Sequence, residues 1–263
     1  MMDRPIRVIL FGGGPVLEHG ALRFVATLDA HPDVEFLGAV CQSHGQGIVS
    51  ILEDLWRRRG LLALPLFAAR AWGGLRRWLL HPRREWRLRS DLRRLTGPIR
   101  YMEDIHAPEV LGLVRELGPD LGLIYGSPIL KPELFEIPKH GTLGIHHGSL
   151  PKYRGRKTTF WEMYEGEEVA GVTIQRVNRG LDTGEIVQEG RVRIGSRSRS
   201  RVWRELEDLG LELYLRAILE VRNGTARYRP QEGPKGGLYR DPPPSLILRL
   251  WWRQLCKRMR GTG

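Results

Sequence analysis

The sequence predicts an α/β fold: a Rossmann-like, doubly wound and mostly parallel sheet. Three observations predict it. Short apolar runs of strand length recur along the chain. Stretches with helical spacing separate them. A glycine-rich turn, Gly12-Gly13-Gly14-Pro15, follows the first run. Strands that alternate with helices form parallel sheets with helices packed against them.

The elements follow in order. Arg7-Val8-Ile9-Leu10-Phe11 reads as a buried first strand, because it is apolar on successive residues. Leu17, Leu22, Val25 and Leu28 recur at helical spacing and predict a helix. Residues 34–40 read as a second strand and Tyr101-Met102 as a strand end. Residues 108–117 read as a helix, and Leu121-Gly122-Leu123-Ile124-Tyr125 as another buried strand. Residues 142–146 are strand-like, Phe160 to Tyr164 begins a helix, and residues 172–177 alternate as a strand does. No internal repeat is visible.

The Gly12-Gly13-Gly14-Pro15 turn invites a dinucleotide reading, but with the pattern starting at Gly12 and Gly14 its third glycine would fall on Leu17. A plain tight turn is the better reading. Its backbone N–H groups could still face a phosphate at a helix N-terminus, which makes Gly12 and Gly13 candidate substrate-binding residues.

Composition narrows the class. With 263 residues and 41% hydrophobic content, the chain can build one large core. Its two cysteines, Cys41 and Cys256, lie far apart and suggest neither a disulfide framework nor a zinc cluster. The chain passes straight from Met1 into a strand-like run, which predicts no secretory signal. No apolar stretch approaches transmembrane length. Together these features predict a cytoplasmic location and no metal.

The net charge of +12 is concentrated in one region. Residues 56–100 carry 13 Arg against Glu85 and Asp91, a local charge of +11. Trp56, Trp72, Trp78 and Trp86 are interleaved with these arginines. Residues 50–98 therefore read as a basic helical insertion. Helices with a wet arginine face are the plain reading. Contact with an anionic membrane surface through residues 56–95 is the sharper one, and it would place the protein at the inner membrane face. Nucleic acid is less favoured, because tryptophan suits the headgroup zone. Residues 245–260 have the same character, and residues 230–244 read as an irregular proline-rich arm. The expected division is a catalytic domain over residues 1–190 and a helical extension and arm over residues 191–263.

The candidate chemistry lies between residues 141 and 184. His146 ends an apolar strand run, the end at which parallel sheets bind ligands. A histidine there can stabilise negative charge or move a proton near neutral pH. His147 should point to the other side of the strand. Asp182 sits in Gly180-Leu181-Asp182-Thr183-Gly184, where glycines allow close approach to a ligand. Arg154, in Tyr153-Arg154-Gly155, could pair with a carboxylate or phosphate.

Taken together, His146, Leu150-Pro151, Tyr153-Arg154-Gly155 and Leu181-Asp182-Thr183-Gly184-Glu185-Ile186 resemble the signature of the 10-formyltetrahydrofolate-dependent formyltransferases. The likeness covers residues 6–190 apart from the basic insertion. It implies His146 and Asp182 as the catalytic pair and 10-formyltetrahydrofolate as formyl donor. It also implies a pterin pocket lined by Tyr125, Gly126, Ser127, Pro128, Ile129 and Leu130, with Leu181 and Asp182. In that family's Asn-x-His-x-Ser-x-Leu-Pro motif, the Asn falls here on Gly144 and the Ser on Gly148. The missing amide implies the loss of a donor to the formyl carbonyl.

The implied activity is formyl transfer to a primary amine, of an amino-sugar nucleotide or a lipid-linked saccharide precursor. Two alternatives stand beside it. One is a formyltetrahydrofolate hydrolase. The other is a catalytically impaired folate- or nucleotide-binding protein.

Overall fold

The computed structural model of the chain describes residues 4–14, 17–43, 56 and 63–259. Its contacts divide it into two compact units, Arg4–His140 and Gly141–Gly263. The architecture is α/β and Rossmann-like, as the sequence predicts.

The first unit contains β1 (Ile6–Gly13), α1 (His19–Asp29), β2 (Val34–Gln42), α2 (Ala63–Leu80), α3 (Pro82–Arg93), β3 (Ile99–Met102), α4 (Pro108–Leu117), β4 (Leu121–Tyr125) and the single turn α5 (Pro132–Phe135). Its strands are ordered β3-β2-β1-β4, and every pairing is parallel. Strand β1 is apolar on both faces and buried along almost its whole length, which is the pattern of a central parallel strand. Helix α1 buries Ala21, Phe24, Val25 and Leu28, one stripe at three- and four-residue spacing. Leu17 is buried too, but it precedes the helix, and Leu22 sits at the edge of the stripe. Helix α4 stops at Gly118, whose left-handed backbone (φ +53°) suits a residue without a side chain.

The start of β4 is tied to the start of β1 by Asp120. This buried carboxylate accepts from Arg7 N at 3.0 Å and from the Arg4 guanidinium at 2.8 Å, and Lys139 stands 3.3 Å away. Burial alone would push its pKa up. The donors around it outweigh that and hold it down at about 2.

The second unit contains β5 (Thr142–His146), β6 (Arg154–Gly155), α6 (Thr158–Glu165), β7 (Val169–Arg176), β8 (Ile186–Arg193), α7 (Arg199–Asn223), β9 (Leu238–Tyr239) and α8 (Pro244–Met259). Here β5, β7 and β8 pair antiparallel. No helix lies between β7 and β8, so the chain returns directly, and a direct return gives an antiparallel pair. Helix α7 packs on β7 and β8, and the Tyr214 hydroxyl donates to the Leu143 carbonyl at 2.7 Å. The boundary expected at residue 190 therefore falls inside a strand, and the compact division lies at His140–Gly141. The proline-rich arm is irregular except for β9, which pairs with β6.

Within the expected insertion, residues 50–55 and 57–62 lie outside the described residues. The remainder forms α2 and α3. Helix α3 packs on α1, with Glu85 3.0 Å from His19.

Helix α6 buries a carboxylate. Glu162 is fully buried, and its Oε1 accepts from Ser149 N (2.9 Å), Ser149 Oγ (2.7 Å) and Gly171 N (3.1 Å). Burial pushes its pKa up to about 7, and those hydrogen bonds offset only part of the cost. The folded state thus binds its proton more tightly than the unfolded chain, whose carboxyl titrates at 4.5. The stability this group contributes is complete below that value and is lost as pH rises through about 7. Urea melts of wild type and E162Q should show it. The wild-type advantage should shrink across this window, with a slope of at most about 1.4 kcal/mol per pH unit. Parallel stability curves would mean that Glu162 is already ionised at pH 5.

Candidate active site

The site is built on the C-terminal end of β5 in the second unit. In the antiparallel register Gly144 lies opposite Gln175 and His146 opposite Thr173. Residues two apart on a strand, and the residues directly across from them, share a face. Gly144, His146, Thr173 and Gln175 therefore project to the same side.

His146 is 8% exposed. Its Nε2 lies 2.7 Å from the carbonyl of Tyr153, and its Nδ1 lies 3.4 Å from Asp182 Oδ1. Each ring nitrogen thus faces an oxygen acceptor, so the ring can donate from either side. The Tyr153 carbonyl is well fixed. The Tyr153 ring is buried and stacked on Tyr239 (5.3 Å). Its hydroxyl lies 2.8 Å from carboxylate oxygens of both Glu165 and Glu167, with one proton to donate to either.

Asp182 is held by three groups from separate segments. Gly155 N donates to Oδ2 at 2.7 Å, and Gln175 Nε2 donates to Oδ1 at 3.2 Å. Gln231 Nε2 approaches the Asp182 carbonyl (3.1 Å), the Gly184 carbonyl (2.8 Å) and Gln175 Oε1 (3.3 Å). Asp182 itself has φ +52°, a left-handed conformation that aspartate tolerates better than most residues. Two glycines make the arrangement possible. Gly155 has φ +95°, and a Cβ there would strike the Tyr239 carbonyl. A Cβ on Gly184 would strike the Arg176 carbonyl.

The structure thus brings together His146 and Asp182, which the sequence singles out, and places Gly144 on the same face. Arg154 lies in β6 beside them in sequence, with its Nε buried and without a hydrogen-bond partner among the described residues. His147 is set apart. Its ring packs against Trp203 of α7, centroids 4.6 Å apart and planes tilted by 33°. Burial pushes its pKa down to about 3, so the ring stays neutral near neutral pH. Gly148, which replaces the family Ser, has no room for a side chain. A Cβ would lie 2.8 Å from both His146 Nε2 and the Thr158 side chain.

The other candidates belong to the first unit. Tyr125 ends β4 and pairs with Gly12 of β1. A Cβ on Gly13 would lie 3.0 Å from Pro128 Cδ and 3.1 Å from the Gly126 carbonyl, so these two loops adjoin. Gly12 and Gly13 continue β1 opposite Cys41 and Gln42, and Gly14 N extends that ladder by donating to the Gln42 carbonyl at 2.8 Å. The tight turn expected from Gly12 therefore does not begin there, and Pro15 lies outside the described residues. In residues 125–130, Gly126 has φ +63° with open space around it, Ser127 Oγ donates to the Pro128 carbonyl, Ile129 is exposed and Leu130 is buried.

Gln175 and Gln231 are absent from the sequence reading. Gln175 carried only a weak signal, since it falls with Thr173 on the polar side of an alternating strand. Gln231 carried none, because the composition of the arm indicates only irregular chain.

Gln231→Leu removes the donor to the Asp182 and Gly184 carbonyls. The expected cost is about 1–3 kcal/mol for buried acceptors left unpaired. Amide exchange should speed up in residues 180–184 before it does in β1. Unchanged protection of that turn would show that the arm does not hold it.

The formyl transferase family model matches residues 99–218, which span His146, Asp182 and Gln175. A methionyl-tRNA formyltransferase of Thermodesulfovibrio yellowstonii is 36% identical over 123 residues, 46% of this chain and 40% of that protein. The chain thus spans less than half the length of this curated relative. Among solved structures, a sugar N-formyltransferase from a Shewanella species superposes with TM-score 0.57 at 13% identity, covering 89% of this chain and 76% of the other. HypX from Aquifex aeolicus, in complex with tetrahydrofolic acid, superposes with TM-score 0.54 at 14% identity, covering 93% of this chain and 33% of the other. These two share the fold; the motif residues and the closer relative carry the kinship. Residues 99–218 of this chain belong to the formyl transferase family.

Proposed function

We propose that this protein transfers a formyl group from 10-formyltetrahydrofolate to a primary amine, of an amino-sugar nucleotide or a lipid-linked saccharide precursor. One observation carries the reading. A nearly buried histidine at a strand end stands 3.4 Å from an aspartate that three other groups hold in place. The family match supports the reaction class.

The candidate folate residues fit a flat, hydrogen-bonding ligand. Gly126 leaves open space, the apolar side chains of Ile129 and Leu181 are exposed, and the backbone polar groups lie on glycine-bearing loops. Tyr125, Gly126, Ser127, Pro128, Ile129 and Leu130 of the first unit, and separately Leu181 and the Asp182 backbone of the second, are assigned to it by the family likeness. When bound, it supplies the formyl group, already activated on nitrogen. The chain's own residues supply charge and protons. Both His146 ring nitrogens face protein acceptors, Nε2 the Tyr153 carbonyl and Nδ1 Asp182. His146 therefore donates to negative charge that develops on oxygen once the bound ligand takes the place of one of them. Asp182 Oδ1 keeps the His146 ring oriented and holds a proton during transfer between nitrogens. Burial keeps water from competing at both groups. Arg154, Gly12 and Gly13 are assigned to the amine substrate.

Gly144 lacks the amide of the family motif, but Gln175 brings one to the same face from across the sheet. One of its N–H groups goes to Asp182. The Gln175 amide is assigned the work of the missing Asn.

The test is an assay with 10-formyltetrahydrofolate and a panel of amines: amino-sugar nucleotides, glycinamide ribonucleotide and methionyl-tRNA. An amino-sugar nucleotide should be formylated. Formate release without amine would favour the hydrolase, and binding without turnover the impaired binder. His146→Ala, Asp182→Asn and Gln175→Leu should each lower kcat by on the order of 10²–10³ with less effect on KM. Full activity in Gln175→Leu, together with a large gain in Gly144→Asn, would show that the amide is missing rather than relocated.

A further inference from the structure

Helix α2 wears its apolar face outward. Leu64, Trp72, Leu75, Trp78 and Leu79 recur at three-, four- and seven-residue steps, which places them on one stripe. In a soluble domain such a stripe turns to the core. Here all five are exposed, from 47% at Trp78 to 65% at Leu64 and Trp72. The alanines at 68 and 71 fill the same stripe and are exposed as well. Contiguous apolar surface of this kind marks a contact site.

Charge identifies the contact. Residues 63–93 hold eight arginines and two acids, Glu85 and Asp91. Glu85 is turned inward to His19 on α1. Arg76, Arg83, Arg87, Arg89 and Arg93 are exposed. Trp86, on α3, is 72% exposed among them. Burying the stripe against a second copy would bring two arginine-rich faces together at a cost in repulsion. An anionic bilayer satisfies both features at once. Its acyl boundary accepts leucine, its headgroup zone accepts tryptophan, and its phosphates pair with arginine.

We infer that α2 and α3 form a docking surface for an anionic lipid bilayer, with the α2 stripe lying in the interface plane. No helix among the described residues is long and apolar enough to cross a membrane. Pro82 starts α3 two residues after α2 ends, so the segment is two short helices in succession rather than one long rod. This inference is independent of the proposed chemistry. A bilayer contact would bring the enzyme to its substrate if the amine is lipid-linked, yet the surface stands on α2 and α3 alone.

The experiment uses the whole chain, co-sedimented with vesicles of phosphatidylcholine or of equimolar phosphatidylcholine and phosphatidylglycerol. The protein should pellet with the anionic vesicles roughly tenfold more tightly than with the neutral ones, and added salt should weaken it. Two triple variants, W72S/L75S/L79S and R83E/R87E/R89E, should each lose that binding while keeping the wild-type melting temperature. These positions are exposed, so the fold does not depend on them. Equal or absent pelleting with both vesicle types would overturn the inference, and so would wild-type binding by either variant. Preference for a nucleic-acid duplex over anionic vesicles would assign the arginines elsewhere and overturn it. A concentration-dependent doubling of mass that W72S/L75S/L79S abolishes would assign the stripe to a second copy, and would overturn it equally.

Discussion

The candidate site depends on the position of Asp182. A carboxylate on a loop would normally wander, and a wandering group cannot orient a histidine. Here the loop is fixed from three directions: the Gly155 amide, the Gln175 side chain and the Gln231 side chain. Each comes from a different stretch of chain: the β6 ribbon, a central strand and the C-terminal arm. The constraint reaches further still. Gly155 can approach only because it lacks a Cβ, and β6 exists only because β9 pairs with it. The arm thus contributes twice to a site whose two named residues lie far away in sequence.

The same economy runs through the histidine side. Tyr153 sends its carbonyl to His146 and buries its ring against Tyr239. Glu165 and Glu167 flank its hydroxyl. Glu162, one turn earlier, draws in Ser149 and Gly171 and so fixes the strand-to-turn passage that follows His146. Its raised pKa is the cost of placing a carboxylate in the interior to satisfy three donors that would otherwise be buried unpaired.

How much of this was legible in the sequence differs by residue. His146 and Asp182 could be read, because a histidine closing an apolar strand and an aspartate between glycines are local patterns. The α/β class was legible for the same reason: apolar runs alternate with helical spacing. The antiparallel pairing of β5, β7 and β8 was not, since a strand has the same period of two in either direction. Nor was the division at residue 140 visible, because the apolar stripe of α7 does not say which strands it covers. The Gly144 difference was visible, but what faces it was not. Only the register shows Gln175 directly across from it. Gln231 depends on long-range contact and leaves no trace in local composition.

The central claim is that the His146–Asp182 pair is where a formyl group is handled. A crystal structure of the chain with bound 5-formyltetrahydrofolate, an unreactive relative of the donor, tests it most directly. The account predicts the formyl-bearing end of that ligand within hydrogen-bond reach of His146, with Asp182 still held by Gly155 and Gln175. The ligand bound with its formyl group away from β5, or a site in which Asp182 has left His146, would contradict it.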